Sequence, residues 1–258
     1  MERHTRQTPS PRLVELAEFS RQVVRAAWTS VASAVRRQQG IMGAVTRPVP
    51  TRVFHMTRIE RLPSVIEHGL LPDNVCRQRQ VAGVEIGYDH IKRRRALRAV
   101  PCGAGGTLAD YVPFYFAPRS PMLYAITCGL VSTEAARTEQ IVYLVSSTQT
   151  LRQAGLTVLA SNRHAELGYA DITDHDGDLD GDEFIDWPLM KEGYWNNTPE
   201  DPDRKERRQA ECLVYPSVPW QAIEGVATKS KSVCAQVKHV LGAAGRPTPA
   251  AVRAAWYF

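Results

Sequence analysis

Cysteine is scarce in this chain of 258 residues, with five in all. Cys76, Cys102, Cys128, Cys212 and Cys234 are odd in number and widely spaced, and no two form a CxxC pair. Neither a disulfide framework nor a zinc site is therefore expected, and no metal is assigned. Long apolar runs are missing too. No stretch approaches the roughly 18 residues of a spanning helix, and the opening MERHTRQTPS lacks the apolar core of a signal peptide. The expectation is a cytoplasmic protein with no membrane contact. The chain also has no GxGxxG following a strand, no Walker lysine, no GxSxG and no HExxH, which removes the common nucleotide-cofactor and hydrolase classes. GAGG at 103–106 has no following helix to present backbone amides, and it reads as a turn.

What is present is 43% hydrophobic content, enough for a real core, and a mild basic excess. Thirty-two lysines and arginines face 27 aspartates and glutamates, a formal charge of +5. The arginines cluster in two runs, Lys92, Arg93, Arg94, Arg95 and Arg98, and Arg204, Lys205, Arg207 and Arg208. Each run has the reach to contact several phosphates, and a solvated helix face is the plain alternative. The acidic segment Asp171 to Asp186 begins like a calcium loop with Asp176, Asp178, Asp180, Gly181 and Asp182. The twelfth position is Trp187 where a bidentate glutamate is required, so a solvated insertion is expected instead.

Along the chain, residues 1–50 read as an N-terminal helical extension and linker, and 51–258 as the main domain. Leu13, Leu16, Phe19, Val23, Ala27 and Val31 recur at helical spacing, and a Gly- and Pro-rich stretch follows up to Pro50. Beyond it, RVFHMT, YVPFYF, IVYLVSS and AECLVY read as strands, with PWQAIEGVAT and the final AAWYF as two more. Helices are expected over Ile59 to His68, closed by Gly69, over Pro121 to Thr127 and over Ser232 to Leu241. Strands and helices mix without regular βαβ alternation, so the class is α+β or mixed α/β.

Several polar residues sit inside apolar strands, where polarity is unfavourable unless it has a partner or a task. His55 and Thr57 lie two apart in VFHMT and emerge on one face of the strand. Tyr115 lies in PFYF, shortly before Arg119, Met122 and Tyr124, and Glu211 interrupts AECLVY. Singly, each suits a core histidine, a tyrosine with a surface hydroxyl or a glutamate on an exposed face. Together, a histidine on one strand, a tyrosine on another and a glutamate on a late strand match the nicotinamide-ribose pocket of an ADP-ribosyltransferase.

The segments FHMTRIERLPSVIEHGLL, YDHIKRRRALRAVP, GGTLADYVPFYFAPRSPMLYAI and RKERRQAECLVYPSVPW occur in that order, and through them the chain resembles the DarT family of bacterial DNA ADP-ribosyltransferase toxins. The resemblance implies an α+β ADP-ribosyltransferase fold, with split central β-sheets flanked by helices. It implies transfer of ADP-ribose from NAD to a base in single-stranded DNA, with thymine favoured, guanine as the alternative, and a catalytically silent DNA- or antitoxin-binding module as the reading of another class. It further implies a monomeric toxin whose partner is an ADP-ribose-removing antitoxin of the macrodomain type. Glu211 is the residue the resemblance makes catalytic, along with an essential arginine ending IKRRR, taken as Arg95 with Arg94 as its neighbour. His55 and Thr57 would hold the adenine-distal half of NAD, with Gly69 and Leu70 nearby, and Tyr115 and Tyr124 would wall the nicotinamide. On the acceptor side stand His164, Arg163, Met122, Arg119 and Lys205.

Cleavage of the nicotinamide–ribose bond leaves positive charge on the sugar, so a carboxylate beside it is worth more in the transition state than before. Arginine has no acceptor and stays protonated, which suits Arg95 to clamping charge rather than removing a proton; Glu211 is the more natural proton acceptor of the two. Single-stranded substrate follows from the cost of unstacking a paired base, a few kcal/mol.

Overall fold

A computed structural model describes residues 46–80, 88–130 and 138–258 of the chain. The helix expected over Leu13 to Arg37 lies outside the described residues. The described residues all belong to the second of two units of the chain, Val45–Phe258. The strands of the second unit are β1 (Arg52–Arg58), β2 (Val112–Tyr115), β3 (Ile141–Ser147), β4 (Thr157–Ser161), β5 (Ile172–Thr173), β6 (Glu211–Tyr215), β7 (Gly225–Thr228) and β8 (Ala250–Val252). The helices among the described residues are α1 (Leu62–His68), α2 (Asp73–Gln78), α3 (Asp89–Leu97), α4 (Pro121–Thr127), α5 (Thr148–Gln153), α6 (Trp187–Lys191), α7 (Arg204–Arg207) and α8 (Lys231–Ala243), with short 3-10 turns between.

The strands form one mixed sheet in the order β5-β4-β6-β2-β1-β3-β7-β8. Every pairing is antiparallel except β7 with β8. The split between two half-sheets appears as a seam inside this sheet. β1 and β3 pair over seven residues, from Arg52↔Ser147 to Arg58↔Ile141, whereas β1 meets β2 at the single register Phe54↔Tyr115. Beyond that pair the halves part, and the strand ends carrying His55, Thr57 and Glu211 border the opening.

Period-two alternation sorts the side chains. Val53, Phe114, Ala160, Cys212 and Val214 join one buried cluster, and Phe54, Met56 and Tyr143 join a second against the C-terminal aromatics. α1 ends where Gly69 turns the chain at φ 79°, and Leu70 then exchanges both backbone hydrogen bonds with Val218. A Cβ on Gly69 would lie 2.6 Å from the Val218 carbonyl oxygen, so the position requires glycine for space and conformation alike.

Three expectations from sequence change here. The terminal AAWYF is not a strand: Ala254–Trp256 forms a 3-10 turn, and the strand lies just before it at Ala250–Val252. Trp256, Tyr257 and Phe258 all pack against the second cluster, which a strand sending neighbours to opposite faces could not arrange, and the Tyr257 hydroxyl donates to the Ala227 carbonyl. In PWQAIEGVAT the strand is confined to Gly225–Thr228, after a turn at Trp220–Ala222. The acidic segment, expected as a solvated insertion, exposes most of its carboxylates but is anchored by its apolar residues. Leu179 and Ile185 from it, and Trp187 just after it, are buried in the main cluster, and the Trp187 indole donates to the Leu179 carbonyl. Its carboxylates meet arginines: Asp176 pairs with Arg47 at 2.9 Å and Arg152 at 3.0 Å, and Asp186 caps α6 and pairs with Arg207. Among the described residues no group of His, Cys, Asp and Glu could hold a metal ion, and no helix is long and apolar enough to cross a membrane.

Arg47, itself buried, also donates to Thr51 and Thr148, which anchors the chain ahead of β1. The hydrogen bond from Arg47, opposed by burial and aided by the Arg152 charge, holds the Asp176 carboxyl below its usual range. A carboxylate depressed in this way contributes stability above its unfolded value, about pH 4, and loses that contribution as pH falls through the folded value. Asp176→Asn should therefore melt below the wild type at about pH 7, with the two melting temperatures converging as thermal unfolding is followed down to about pH 3.

Candidate active site

The seam opens into a cavity of about 560 Å³, within the range of small-ligand sites. β1, β2 and β6 supply its wall. The registers Phe54↔Tyr115 and Tyr115↔Glu211 put these three side chains in one row across the sheet. Glu211 begins β6 and is 2% exposed. Its Oε2 accepts from Arg95 Nη1 at 2.8 Å, its Oε1 accepts from the Ala165 backbone N–H at 2.9 Å, and its own N–H donates to the Ser161 hydroxyl at 3.1 Å. A buried carboxylate survives as an ion only with such partners. Burial disfavours charge on Arg95, but the charge and hydrogen bond of Glu211 outweigh it, and the guanidinium is held above its ordinary value. Burial first, and then the Glu211 charge, raises the Tyr115 hydroxyl, which stays protonated and donates to Met122 Sδ at 3.6 Å.

On the other side of the seam, His55 Nδ1 lies 2.7 Å from the Pro113 carbonyl. A carbonyl only accepts, so Nδ1 carries the hydrogen and Nε2 keeps its lone pair. Burial lowers the His55 pKa, ahead of the opposing Pro113 hydrogen bond, and the ring is a neutral acceptor suited to a hydroxyl. Thr57, Gly69 and Leu70 line the same region.

Three arginines of the run on and just after α3 bond within the protein, although Arg93 and Arg94 are exposed. Arg95 holds Glu211, Arg94 grips Glu166 with Nε to Oε2 at 2.7 Å and Nη2 to Oε1 at 2.9 Å, and Arg98 donates to the carbonyls of Gly168 and Ala170. The helix thus clamps the 162–171 loop over the carboxylate. Of the two candidate arginines, Arg95 is buried against Glu211, whereas the Arg94 side chain is 58% exposed. The second run is likewise engaged. Arg207 pairs with Asp186, Asp201 and Asp203, Arg204 with Glu192, and Arg208 is buried, donating to the carbonyls of Leu189 and Pro118. Burial pulls the Arg208 guanidinium down to about 10. Lys205 is the member of this run that lines the cavity.

Of the residues singled out from sequence, the cavity brings together His55, Thr57, Gly69, Leu70, Arg95, Tyr115, Met122, His164, Lys205 and Glu211. Arg119, Tyr124 and Arg163 do not line it. Tyr124 points outward against Trp195 and Phe258, Arg119 lies over the Phe258 ring at 4.6 Å, and Arg163 pairs with Asp203 and stacks on Tyr169. Tyr124 and Met122 are two apart on α4, which puts them on different sides of that helix. Sequence reading missed Ser161, Arg61 and Glu166. Ser161, a polar residue ending the apolar strand TVLAS, carries the same signal that marks His55 and Glu211. Arg61 and Glu166 carry none, because charge in a turn or loop is ordinary.

The cavity thus brings together the histidine, tyrosine and glutamate expected of an ADP-ribosyltransferase, with the glutamate held by a buried arginine. The family model for the ssDNA thymidine ADP-ribosyltransferase DarT matches residues 54–258. A DNA ADP-ribosyl transferase of Thermus sp. strain 2.9 is 39% identical over 217 residues, covering 83% of this chain and 99% of that protein. The structure of Thermus sp. 2.9 DarT in complex with ADP-ribosylated ssDNA superposes with a TM-score of 0.76 at 37% identity, covering 84% of this chain and all of the other. The same protein in complex with NAD+ gives 0.71 at 36% identity, over 83% of this chain and all of that one. The chain belongs to the DarT family and is an NAD-dependent DNA ADP-ribosyltransferase.

Removing one partner of a buried ion pair strands the other, at about 3–5 kcal/mol. Arg95→Ala should lower unfolding free energy in urea by that order. In a double-mutant cycle with Glu211→Ala, the double variant should be more stable than the sum of the single losses predicts; strict additivity would contradict the pairing.

Proposed function

We propose that this enzyme transfers ADP-ribose from NAD to thymine in single-stranded DNA, and that it acts in the bacterial cytoplasm as a toxin countered by an ADP-ribose-removing antitoxin. The observation that carries the reading is the buried Glu211 carboxylate, paired with Arg95 on the cavity wall in the row with Phe54 and Tyr115. Family membership, under a description that specifies ssDNA thymidine, supports the choice of base and strand. The Thermus relative caught with ADP-ribosylated ssDNA supports DNA as acceptor.

In this reading, nicotinamide leaves with the electron pair of its bond to ribose, and the sugar becomes cationic. Glu211 opposes that charge from a site with little water, where the interaction is strong. It needs no reorganisation to do so, because Arg95, Ala165 and Ser161 already hold it. His55 Nε2 accepts from a ribose hydroxyl, and Thr57, Gly69 and Leu70 enclose the adenine-distal half of NAD. Tyr115, donating to Met122, walls the nicotinamide. Lys205 at the rim suits a phosphate of the DNA strand. His164 faces the acceptor base. An unpaired base presents its ring nitrogen without the cost of opening a duplex.

The test is a panel of single-stranded homopolymer and mixed oligonucleotides incubated with NAD and weighed by mass spectrometry. The wild type should add one ADP-ribose to thymine-containing strands, and Glu211→Gln should lower the rate by about 100-fold or more, the scale of losing a transition-state electrostatic contact. Adducts on guanine alone would overturn the base assignment, and nicotinamide release without any DNA adduct would overturn transfer to DNA.

A further inference from the structure

Transfer to a ring nitrogen leaves a proton to be removed, and Glu211 is poorly placed to take it. Both its oxygens are engaged, Oε2 by Arg95 and Oε1 by the Ala165 N–H, and protonating it would leave a buried guanidinium without its counter-charge. The cavity holds a second basic group beside it. His164 lies between two carboxylates, its Nδ1 3.6 Å from Glu166 Oε1 and its Nε2 3.7 Å from Glu211 Oε1. Glu166 is 6% exposed in its side chain and is gripped from outside by Arg94. The backbone N–H of His164 donates to the Glu206 carbonyl, which fixes the loop from the other side.

We propose that Glu166 is a positioning residue that fixes the tautomer and orientation of His164, so that His164 Nε2, and not Glu211, takes the proton released by the acceptor base. The inference rests on the reading of base transfer above. A carboxylate only accepts, so an Nδ1–H turned to Glu166 leaves the Nε2 lone pair for the acceptor base, the pattern by which a carboxylate orients a histidine base. A bare Nε2 facing Glu211 is an unfavourable contact, and a protonated one is favourable. Accepting the proton therefore turns His164 into a cation flanked by two anions. Separations of this size commonly tighten when substrate fills a site.

The step balances. The ring N–H bond of the base breaks and its proton passes to His164 Nε2. The freed electron pair forms the new bond to ribose C1′, while the bond from C1′ to nicotinamide breaks and nicotinamide keeps that pair. His164 then returns the proton to water. Arg94, on the exposed side, keeps Glu166 charged throughout.

Acceptor acidity separates this role from a merely structural one. Two oligonucleotides are compared, one with thymidine at the target and one with 5-fluoro-2′-deoxyuridine, whose ring N–H is more acidic because fluorine withdraws electrons. E166Q should slow transfer to thymidine by about 10- to 100-fold, within the range of general-base contributions, and transfer to the fluorinated base several-fold less. E166D, which restores the carboxylate, should recover part of the rate. R94Q, at an exposed side chain, should show a smaller loss with the same acceptor dependence. Equal losses on both acceptors in E166Q and R94Q, or no loss in either, would overturn the proposal. A wild type that modifies neither oligonucleotide while splitting NAD would overturn base transfer itself, and this inference with it.

Discussion

A carboxylate in a protein interior is tolerated only when something of opposite charge is held against it, and Glu211 is met by Arg95 at 2.8 Å. Much of the unit can be traced to that contact. α3 must lie where Arg95 reaches the start of β6, and β6 must pair with β2 in the register that sets Glu211 opposite Tyr115. The 162–171 loop must cross the top of the sheet so that the Ala165 N–H reaches the remaining oxygen. Each requirement serves desolvation, and together they aim one fixed negative charge into a cavity. Preorganisation of this kind has its energetic cost met during folding, so none is due when charge develops on a substrate.

The same constraint explains where the arginines go. Two dense basic runs on a mildly basic chain look like phosphate contacts, yet Arg94, Arg95, Arg98, Arg204, Arg207 and Arg208 bond to carboxylates and carbonyls of the protein itself. A guanidinium has five donors in a fixed fork, which makes it the natural strut for a loop-rich unit in which many carbonyls lack sheet or helix partners. The acidic segment is the complement of this arrangement. It supplies Asp176 and Asp186 to the arginines and Leu179 and Ile185 to the core. Its formal charge conceals its apolar positions from any reading by composition.

Elements with strong local signals were legible from sequence. β1, β3, β6 and α4 follow from apolar runs, and the end of α1 follows from Gly69, because propensity and turn chemistry act over a few residues. His55, Tyr115 and Glu211 stood out because a polar residue in an apolar strand carries its own signal. The limits appear where a long-range partner decides. The C-terminal aromatics read as a strand and instead fold as a turn against the second core cluster. Tyr124 reads as part of the pocket and turns outward, since α4 presents Met122 to the cavity and Tyr124 to Trp195. Glu166 went unnoticed because a glutamate in a loop is unremarkable until Arg94 and His164 flank it.

By itself, then, the sequence determined the class of the fold, the membership of the family and the identity of the buried carboxylate, because each is written in local composition or in ordered motifs. Tertiary structure alone decided which arginine meets Glu211, which residues share the cavity, and that the two half-sheets join at a single register between β1 and β2. Those outcomes depend on contacts between residues far apart in the chain, 116 positions for Arg95 and Glu211, and no local pattern encodes them.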